Sequence, residues 1–512
     1  MPSINKKRIA KNTIFLYIRM ALNMAIALYT SRVLLRVLGI DDYGLYSVIG
    51  GVVVLFSFLN STLAGSTSRF LTFALGKGEQ KEINRVFSAS LTNHVFMALL
   101  ILILAETIGL YLVYNKLVIP PERFHASLWV YQFSIMTAML TMTQLPYNAC
   151  IIAHEKMNAF AYLSIGETIL KLIVVIVLQF IVSFDRLILY SIMILVITIL
   201  ITLSYRIYCN RHFEECTYHF FWDKALYKKL FSYAGWDLLG GFSVIAQGQG
   251  LNILLNMFFG PAVNASRAIS VQVQSAIGQF STNFMMASRP QIIKSYAEGK
   301  TNEMLKLVYQ VAKYGFALSL FFTLPIFVEM EYILRLWLVN VPEFAVIFCR
   351  IMLIISLINV LRNPFIAALH ATGNIRLANI LCGSLLISTL PIAYLFLKMN
   401  FSPISVFGVT FAITFIVQWV DLLNLKRLLP ISLKSYFIEV YIPSIFLLLI
   451  SFSVIYFIPH FFSSSLLRLF IVVCTSWIVL GICSYIIILN SNTRDKIKLK
   501  TRNFLNARKT LK

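Results

Sequence analysis

The stretch Leu38-Gly39-Ile40-Asp41-Asp42-Tyr43-Gly44 is followed by Arg69, by Ala74-Leu75-Gly76-Lys77 and by Val86-Phe87. The same order returns in the second half of the chain as Phe259-Gly260, Arg289, Ala297-Glu298-Gly299-Lys300 and Val308-Tyr309, offset by about 220 residues. Pro146-Tyr147-Asn148-Ala149 with Ala153 and His154 is likewise echoed, at nearly the same offset, by Pro364-Phe365-Ile366-Ala367 with His370 and Ala371. An ordered series at one offset marks an internal duplication, and the apolar runs between the matches say what is duplicated.

Of the 512 residues 59% are hydrophobic and 13% charged, where soluble chains carry about 25% charge. Such a chain belongs in lipid. Apolar runs long enough to cross a bilayer fall at 12–37, 44–64, 86–113, 125–146, 158–182, 187–209, 231–258, 262–288, 307–329, 344–369, 376–398, 404–425, 438–458 and 466–489. The first continues to Leu38 without a small-residue cleavage site and reads as a retained helix rather than a signal peptide. Tyr43-Gly44 reads as an ordinary turn between the first two.

Six helices separate the two copies, and an even number preserves orientation. The expectation is therefore an all-α polytopic membrane protein of about fourteen helices. It has two parallel six-helix lobes, 1–229 and 230–430, a further two-helix hairpin at 431–490 and a basic tail at 491–512. Pro146 and Pro364 are expected to bend or end the fourth and tenth helices and to serve as hinges, because proline lacks the N–H of the i to i−4 bond.

The 44 Lys and Arg against 21 acids would suggest nucleic acid in a soluble protein. Here they sort by side of the membrane and no nucleic-acid partner is expected. With the N-terminus in the cytoplasm, 31 fall on that side and seven on the other, namely Arg36, Lys116, Arg123, Arg186, Arg335, Lys398 and Arg468. The remaining six, Arg19, Arg32, Lys171, Arg267, Arg350 and Arg362, lie inside helix spans. The imbalance puts both termini in the cytoplasm.

Ionisable groups within membrane helices are costly and mark functional paths. Arg19, Asn23 and Thr30 share one face of the first helix, and Arg32 lies nearly opposite, where it and Arg36 snorkel outward or pair with Asp41 and Asp42. Arg19 either snorkels or lines a cavity.

The seventh and eighth helices carry Asp237, Gln247, Gln249, Asn252 and Asn256, then Asn264, Arg267, Gln272, Gln274, Gln279 and Asn283. That load exceeds what interhelical glue requires, which favours wet faces toward a shared cavity. On the fifth helix Glu167 and Lys171 are spaced for an i, i+4 ion pair near mid-membrane. Either the pair satisfies itself, or Glu167 takes a proton or cation and Lys171 lies on an anion path. Glu167 and Asp41 are the candidate carboxylates for a coupling ion, proton or sodium.

No GxSxG, Walker or HExxH sequence is present, and the seven cysteines form no CxxC pair and read as reduced packing residues. No enzyme, no cofactor and no metal site is expected.

The chain resembles the bacterial Wzx-type lipid-linked oligosaccharide flippases of the multidrug/oligosaccharidyl-lipid/polysaccharide (MOP) exporter superfamily. The likeness rests on Ser31-Arg32-Val33-Leu34 through Leu45-Tyr46, on Ser68-Arg69-Phe70 with Gly76-Lys77-Gly78-Glu79, on Ile152-Ala153-His154-Glu155-Lys156-Met157, and on Phe259-Gly260 with Asn264-Ala265. The resemblance implies alternating access and transfer of an undecaprenyl-diphosphate-linked O-antigen, capsule or exopolysaccharide unit across the bacterial inner membrane, in company with polysaccharide-assembly proteins. By resemblance to the peptidoglycan-precursor flippase, basic residues of the first and eighth helices hold the diphosphate, which singles out Arg19, Arg32 and Arg267, with Lys171 as a further candidate. Asn23, Gln249, Asn252, Asn256 and Gln274 are the expected polar lining. The extra hairpin resembles one used as a groove for the polyprenyl tail. Intramembrane Arg and Lys outnumber Glu106, Glu167 and Asp237, favouring an anionic substrate. The alternative is a MATE-like, cation-coupled antiporter for cationic drugs.

Reporter fusions at the tail, at 205–230 and at 289–306 are expected to report the cytoplasm. An external tail, with Arg494, Lys496, Lys498, Lys500 and Arg502, overturns the fourteen-helix count.

Overall fold

The computed structural model describes residues 6–57, 67, 70, 71, 74, 75, 79–154, 156–181, 183–220, 224–489 and 494, with side chains from Met20 on except at 224–239, Ala287 and Pro290. Among these residues there are helices and turns and no strand. The helix Lys6–Leu55 is broken at Gly39 into α1 (6–38) and α2 (40–55). It is followed by α3 (Gln80–Asn115), α4 (Phe124–Ala153), α5 (Met157–Phe180), α6 (Arg186–His212), α7 (Lys224–Phe259) and α8 (Pro261–Ala297). Then come α9 (Thr301–Val328), α10 (Ala345–Thr372), α11 (Arg376–Lys398), α12 (Ile404–Leu428), α13 (Leu433–Phe461) and α14 (Leu466–Ile488). Among the described residues ten segments, with α1 and α2 joined, are long and apolar enough to cross a membrane. Separating those two and adding α4, α7 and α8 gives fourteen. The protein is a multi-pass, all-helical membrane protein. Rows of exposed apolar side chains, such as Phe470, Ile478, Ile482 and Ile486 along α14, suit only a lipid solvent.

Local chemistry explains the boundaries. Gly39 (φ 82°, ψ 174°) adopts a conformation reserved for glycine, and this is what separates α1 from α2. Gly260, its counterpart in the second copy, has φ 74° between α7 and α8. Asp185 caps α6 by accepting from the N–H of Leu187 and Ile188 at 3.0 and 3.2 Å. Ser432 and Ser465 cap α13 and α14. The helices α4 and α10 run through Pro146 and Pro364 without ending there.

The duplication also appears in bonds. Asn23 of α1 donates to Ser164 of α5 at 3.0 Å, and at the equivalent place one repeat later Gln247 of α7 donates to Thr389 of α11 at 2.9 Å. Thr202 of α6 donates to Gln144 of α4 at 3.3 Å, and in the second copy Arg362 of α10 meets Asp421 of α12 at 2.6 Å.

Contacts group the chain into two units. The first holds Met1–Ile269, Trp337–Ala345 and Asn379–Val409, and the second Ser270–Leu336, Val346–Ala378 and Thr410–Lys512. In the first, Leu45, Ile49 and Val52 of α2 meet Ile101 and Ala105 of α3 and Val130, Tyr131 and Ile135 of α4. The second centres on Leu320 and Leu324 of α9, Phe365 of α10, Leu425 of α12, and Tyr436 and Leu447 of α13. There α14 is fastened to α9 by Trp477, whose indole N–H donates to Phe321 O at 3.0 Å.

Gly44 corrects the reading of Tyr43-Gly44 as a turn: it lies within α2, and a Cβ there would fall 1.9 Å from the Pro261 carbonyl oxygen at the start of α8. Two helix ends approach so closely that only glycine fits. Gly44→Ala should therefore cost about 1–3 kcal/mol of stability and lower the thermal midpoint in detergent. Gly50→Ala, where a Cβ meets nothing within 4 Å, should leave it unchanged. Equal midpoints for the two variants would contradict the close approach.

Candidate functional site

On α1, Asn23 uses its amide N–H on Ser164, yet its Oδ1 and the Thr30 Oγ1 are buried without a partner among the described residues. Leaving such an atom unsatisfied costs about 1–3 kcal/mol, so two on one face mark a place for a polar ligand or water. The side chains of Arg19 and Asp237 lie outside the described residues, as do Ser68, Arg69, Gly76, Lys77, Gly78 and Glu155 of the quoted motifs. Arg32 and Arg36 are exposed.

The expected pairing of those arginines with the adjacent acids gives way to a different one. Asp42 is held by Arg123, at 2.8 and 2.6 Å, and Arg123 also binds Asp185 at 2.5 and 3.1 Å. Arg123 comes from the segment before α4 and ties the starts of α2, α4 and α6 together. Burial pushes the Asp185 carboxyl up, but the Arg123 guanidinium and the main-chain N–H groups of Ile188 and Leu187 prevail and hold it below its ordinary value. Asp41, beside Asp42, is exposed.

The α7–α8 pair divides its polar residues between two roles. Asn264 donates to the carbonyl and side-chain oxygens of Asn252 at 2.7 and 2.8 Å, and Asn252 donates to Ser47 O of α2 at 3.2 Å. Asn256 accepts from Val118 N at 2.7 Å. Asn252 and Asn256 are 1% and 0% exposed, and their amides are used in bonds between segments. Periodicity placed them on a polar face but carried no sign of what that face meets. Gln249 and Gln274 are half-buried, and Gln249 Oε1 would lie 2.6 Å from a Cβ at Gly51. Arg267, half-buried on α8, donates to Gly248 O of α7 at 2.5 Å.

Lys171 and Glu167 pair at 2.6 Å on α5, with 41% and 34% of their side chains exposed. Arg362 pairs at 2.6 Å with Asp421, an acid that the sequence balance of intramembrane charges omits. A second buried pair, Arg468 of α14 with Glu329 after α9, at 2.6 Å, was also missed. Its partners are separated in the chain by several helices, beyond any local spacing rule.

No protein-family model matches this sequence, and no curated relative does. Solved structures do. The lipid II flippase MurJ, in an inward closed conformation, matches with a TM-score of 0.67 at 14% identity, over 93% of this chain and 98% of MurJ. The fold is that of the MOP transporters. An inward-facing multidrug resistance MATE transporter of that superfamily matches at 0.62 and 12% identity, over 80% and 94% of the two chains. A MOP transporter from Pyrococcus furiosus, described by a reversed polarity of its binding pocket, matches at 0.61 and 13%, over 81% and 95%.

The Glu167–Lys171 pair should respond unequally to its two halves. Lys171→Ala strands a carboxylate among apolar neighbours, whereas Glu167→Gln leaves an ammonium that still attracts phosphate. The activity proposed below should suffer differently in the two variants. Wild-type activity in both, at normal protein levels, would make the pair a packing element.

Proposed function

We propose that this protein is a flippase that carries a polyprenyl-diphosphate-linked oligosaccharide from the cytoplasmic to the outer leaflet of the bacterial inner membrane. The observation that carries the reading is the stripe on α1, where Asn23 and Thr30 hold buried, unfilled polar atoms on the face that Arg19 shares by sequence. A polar stripe through an apolar helix implies a cargo with a polar part, and the balance of charge says which sign.

Arg267 brings a guanidinium into the span on α8, and Arg32 stands exposed on α1. Each offers donors in a planar fork that matches a diphosphate, with charge-assisted bonds worth about 1.5–3 kcal/mol apiece. Lys171 adds a point charge. Its partner Glu167 and the exposed Asp41 are the carboxylates for a coupling proton or sodium.

The lobes 1–229 and 230–430 rock about Pro146 and Pro364, and the hairpin 431–490 serves the lipid tail. Support for that last point is length: the likeness to MurJ covers 93% of the chain and that to the MATE transporter 80%, and the difference is close to the size of the hairpin. The glycan is an O-antigen, capsule or exopolysaccharide unit, passed on to polysaccharide-assembly proteins. Both termini and the basic tail 491–512 are cytoplasmic.

A MATE-like antiporter for cationic drugs is the second reading. It is favoured by the part-exposed Glu167, the kind of acid that would hold a cation.

Deletion, lipid analysis and complementation separate the two. Arg267→Ala should abolish surface glycan and accumulate the lipid-linked precursor at normal protein levels, and Arg267→Lys should restore export in part, since a point charge replaces a fork. Arg32→Ala should be milder. Normal glycan export from Arg19→Ala and Arg267→Ala, together with resistance to cationic dyes conferred by the wild type, would replace the flippase with the antiporter.

A further inference from the structure

The cysteines that read as packing residues do not scatter. Cys150 lies in the last turns of α4 and His154 at its end, an i, i+4 spacing that puts thiol and imidazole on one face. The chain returns there after α6, where Phe213-Glu214-Glu215-Cys216 makes a short turn before α7. Cys150 Sγ is 3.5 Å from Glu215 Oε1 and 3.5 Å from Cys216 Sγ, and His154 Nε2 is hydrogen-bonded to the same Glu215 oxygen. The donor atoms of Cys150, His154 and Glu215 lie within 4.8 Å of one another.

We propose that Cys150, His154 and Glu215 bind one Zn2+ ion, with Cys216, in contact with Cys150, turning in as the fourth ligand, and that the ion clips the segment between α6 and α7 onto the ends of α3 and α4. Three observations carry it. The first is spacing: Zn–S bonds of about 2.3 Å and Zn–O bonds of about 2.0–2.2 Å at tetrahedral angles separate ligand atoms by roughly 3.5–3.8 Å, which the two 3.5 Å distances match. The second is the donor set. Two thiols, an imidazole and a carboxylate suit zinc and not magnesium or calcium, which want oxygen alone.

The third is the support behind the ligands. Gln80 of α3 donates to the other Glu215 oxygen at 3.3 Å, and Asn84 donates to the main-chain oxygens of Glu215 and Thr217 at 3.0 and 2.7 Å. The His154 ring is stacked on Phe213 at 4.2 Å. Ligands fixed from behind in this way need little reorganisation when an ion arrives. Cys150, Glu215 and Cys216 are buried while the His154 side chain is one-quarter exposed, so the imidazole edge is the way in. Binding replaces the two thiol protons and the proton shared by His154 Nε2 and Glu215 with bonds to the metal; the thiol protons go to solvent, and the shared proton leaves to solvent while the neutral imidazole keeps or regains its proton at Nδ1. The site is independent of what the transporter carries.

The test uses the full-length protein in detergent, stripped with chelator under reducing conditions and then given Zn2+ or Co2+ alone. Wild type should retain one zinc per chain after desalting, and its cobalt form should show a thiolate-to-metal charge-transfer band. Cys150→Ser and Cys216→Ser should lose the band and at least nine-tenths of the zinc, and Glu215→Gln should bind more weakly. Zinc should also raise the wild-type thermal midpoint and shield Cys150 and Cys216 from alkylation. Should the serine variants fail to fold, the wild-type cobalt spectrum and the alkylation pattern decide alone. Wild type that binds no more zinc than Cys150→Ser, a cobalt form without the band, or a Cys150–Cys216 disulfide in the protein as isolated would each overturn the proposal.

Discussion

A main chain surrounded by hydrocarbon must satisfy its own N–H and C=O groups, because no water is there to do it. Everything else in this protein follows from that constraint. It makes every described crossing a helix, and it makes each reversal a problem of chain geometry. Glycine solves that problem at Gly39 and Gly260, whose positive φ is one that side chains rarely adopt. It also explains why the fastenings between helices are polar. In lipid one apolar face is as well solvated as another, so helices recognise their neighbours through close approach and hydrogen bonds. Gly44 against Pro261 supplies the first, and Asn252, Asn264 and Ser47 supply the second.

That distribution decides what the sequence discloses. Hydropathy and the constant repeat offset were enough for the helix count, since both depend on local composition and short spacings, whereas the turn read at Tyr43-Gly44 falls at Gly39 instead. The pairing on α5 was legible for the same reason: Glu167 and Lys171 are one turn apart. What escaped were bonds between distant residues. Asp42 and Asp185 converge on Arg123 over 81 and 62 positions. Polar side chains that look alike in a helical wheel, such as Asn252 and Gln249, differ only in the structure, where Asn252 is fully buried and bonded to Ser47 O while Gln249 is half-buried.

The charge inside the spans changes character once partners are known. Arg362 and Arg468 are paired with Asp421 and Glu329, each pair joining two segments of the second unit. A buried pair of this kind is weak evidence of net stability, because desolvating two charges offsets most of their attraction, yet removing one member is severe. Of the other intramembrane cations with described side chains, Lys171 is paired with Glu167, and Arg267 and Arg350 each donate to a main-chain carbonyl, that of Gly248 in the first unit and that of Phe327 in the second.

The matching joints of the two repeats carry a history. Between α4 and α6 the joint is an amide and a hydroxyl, Gln144 with Thr202, and at the equivalent place between α10 and α12 it is a guanidinium and a carboxylate, Arg362 with Asp421. A neutral joint tolerates change one residue at a time. A charged one does not, since a lone arginine or aspartate at that depth is an uncompensated ion. If both joints began alike, the route between them crossed a valley that a single substitution could not leave on either side. The two charges thus form one unit, distant in sequence, in which a change to either leaves the other uncompensated.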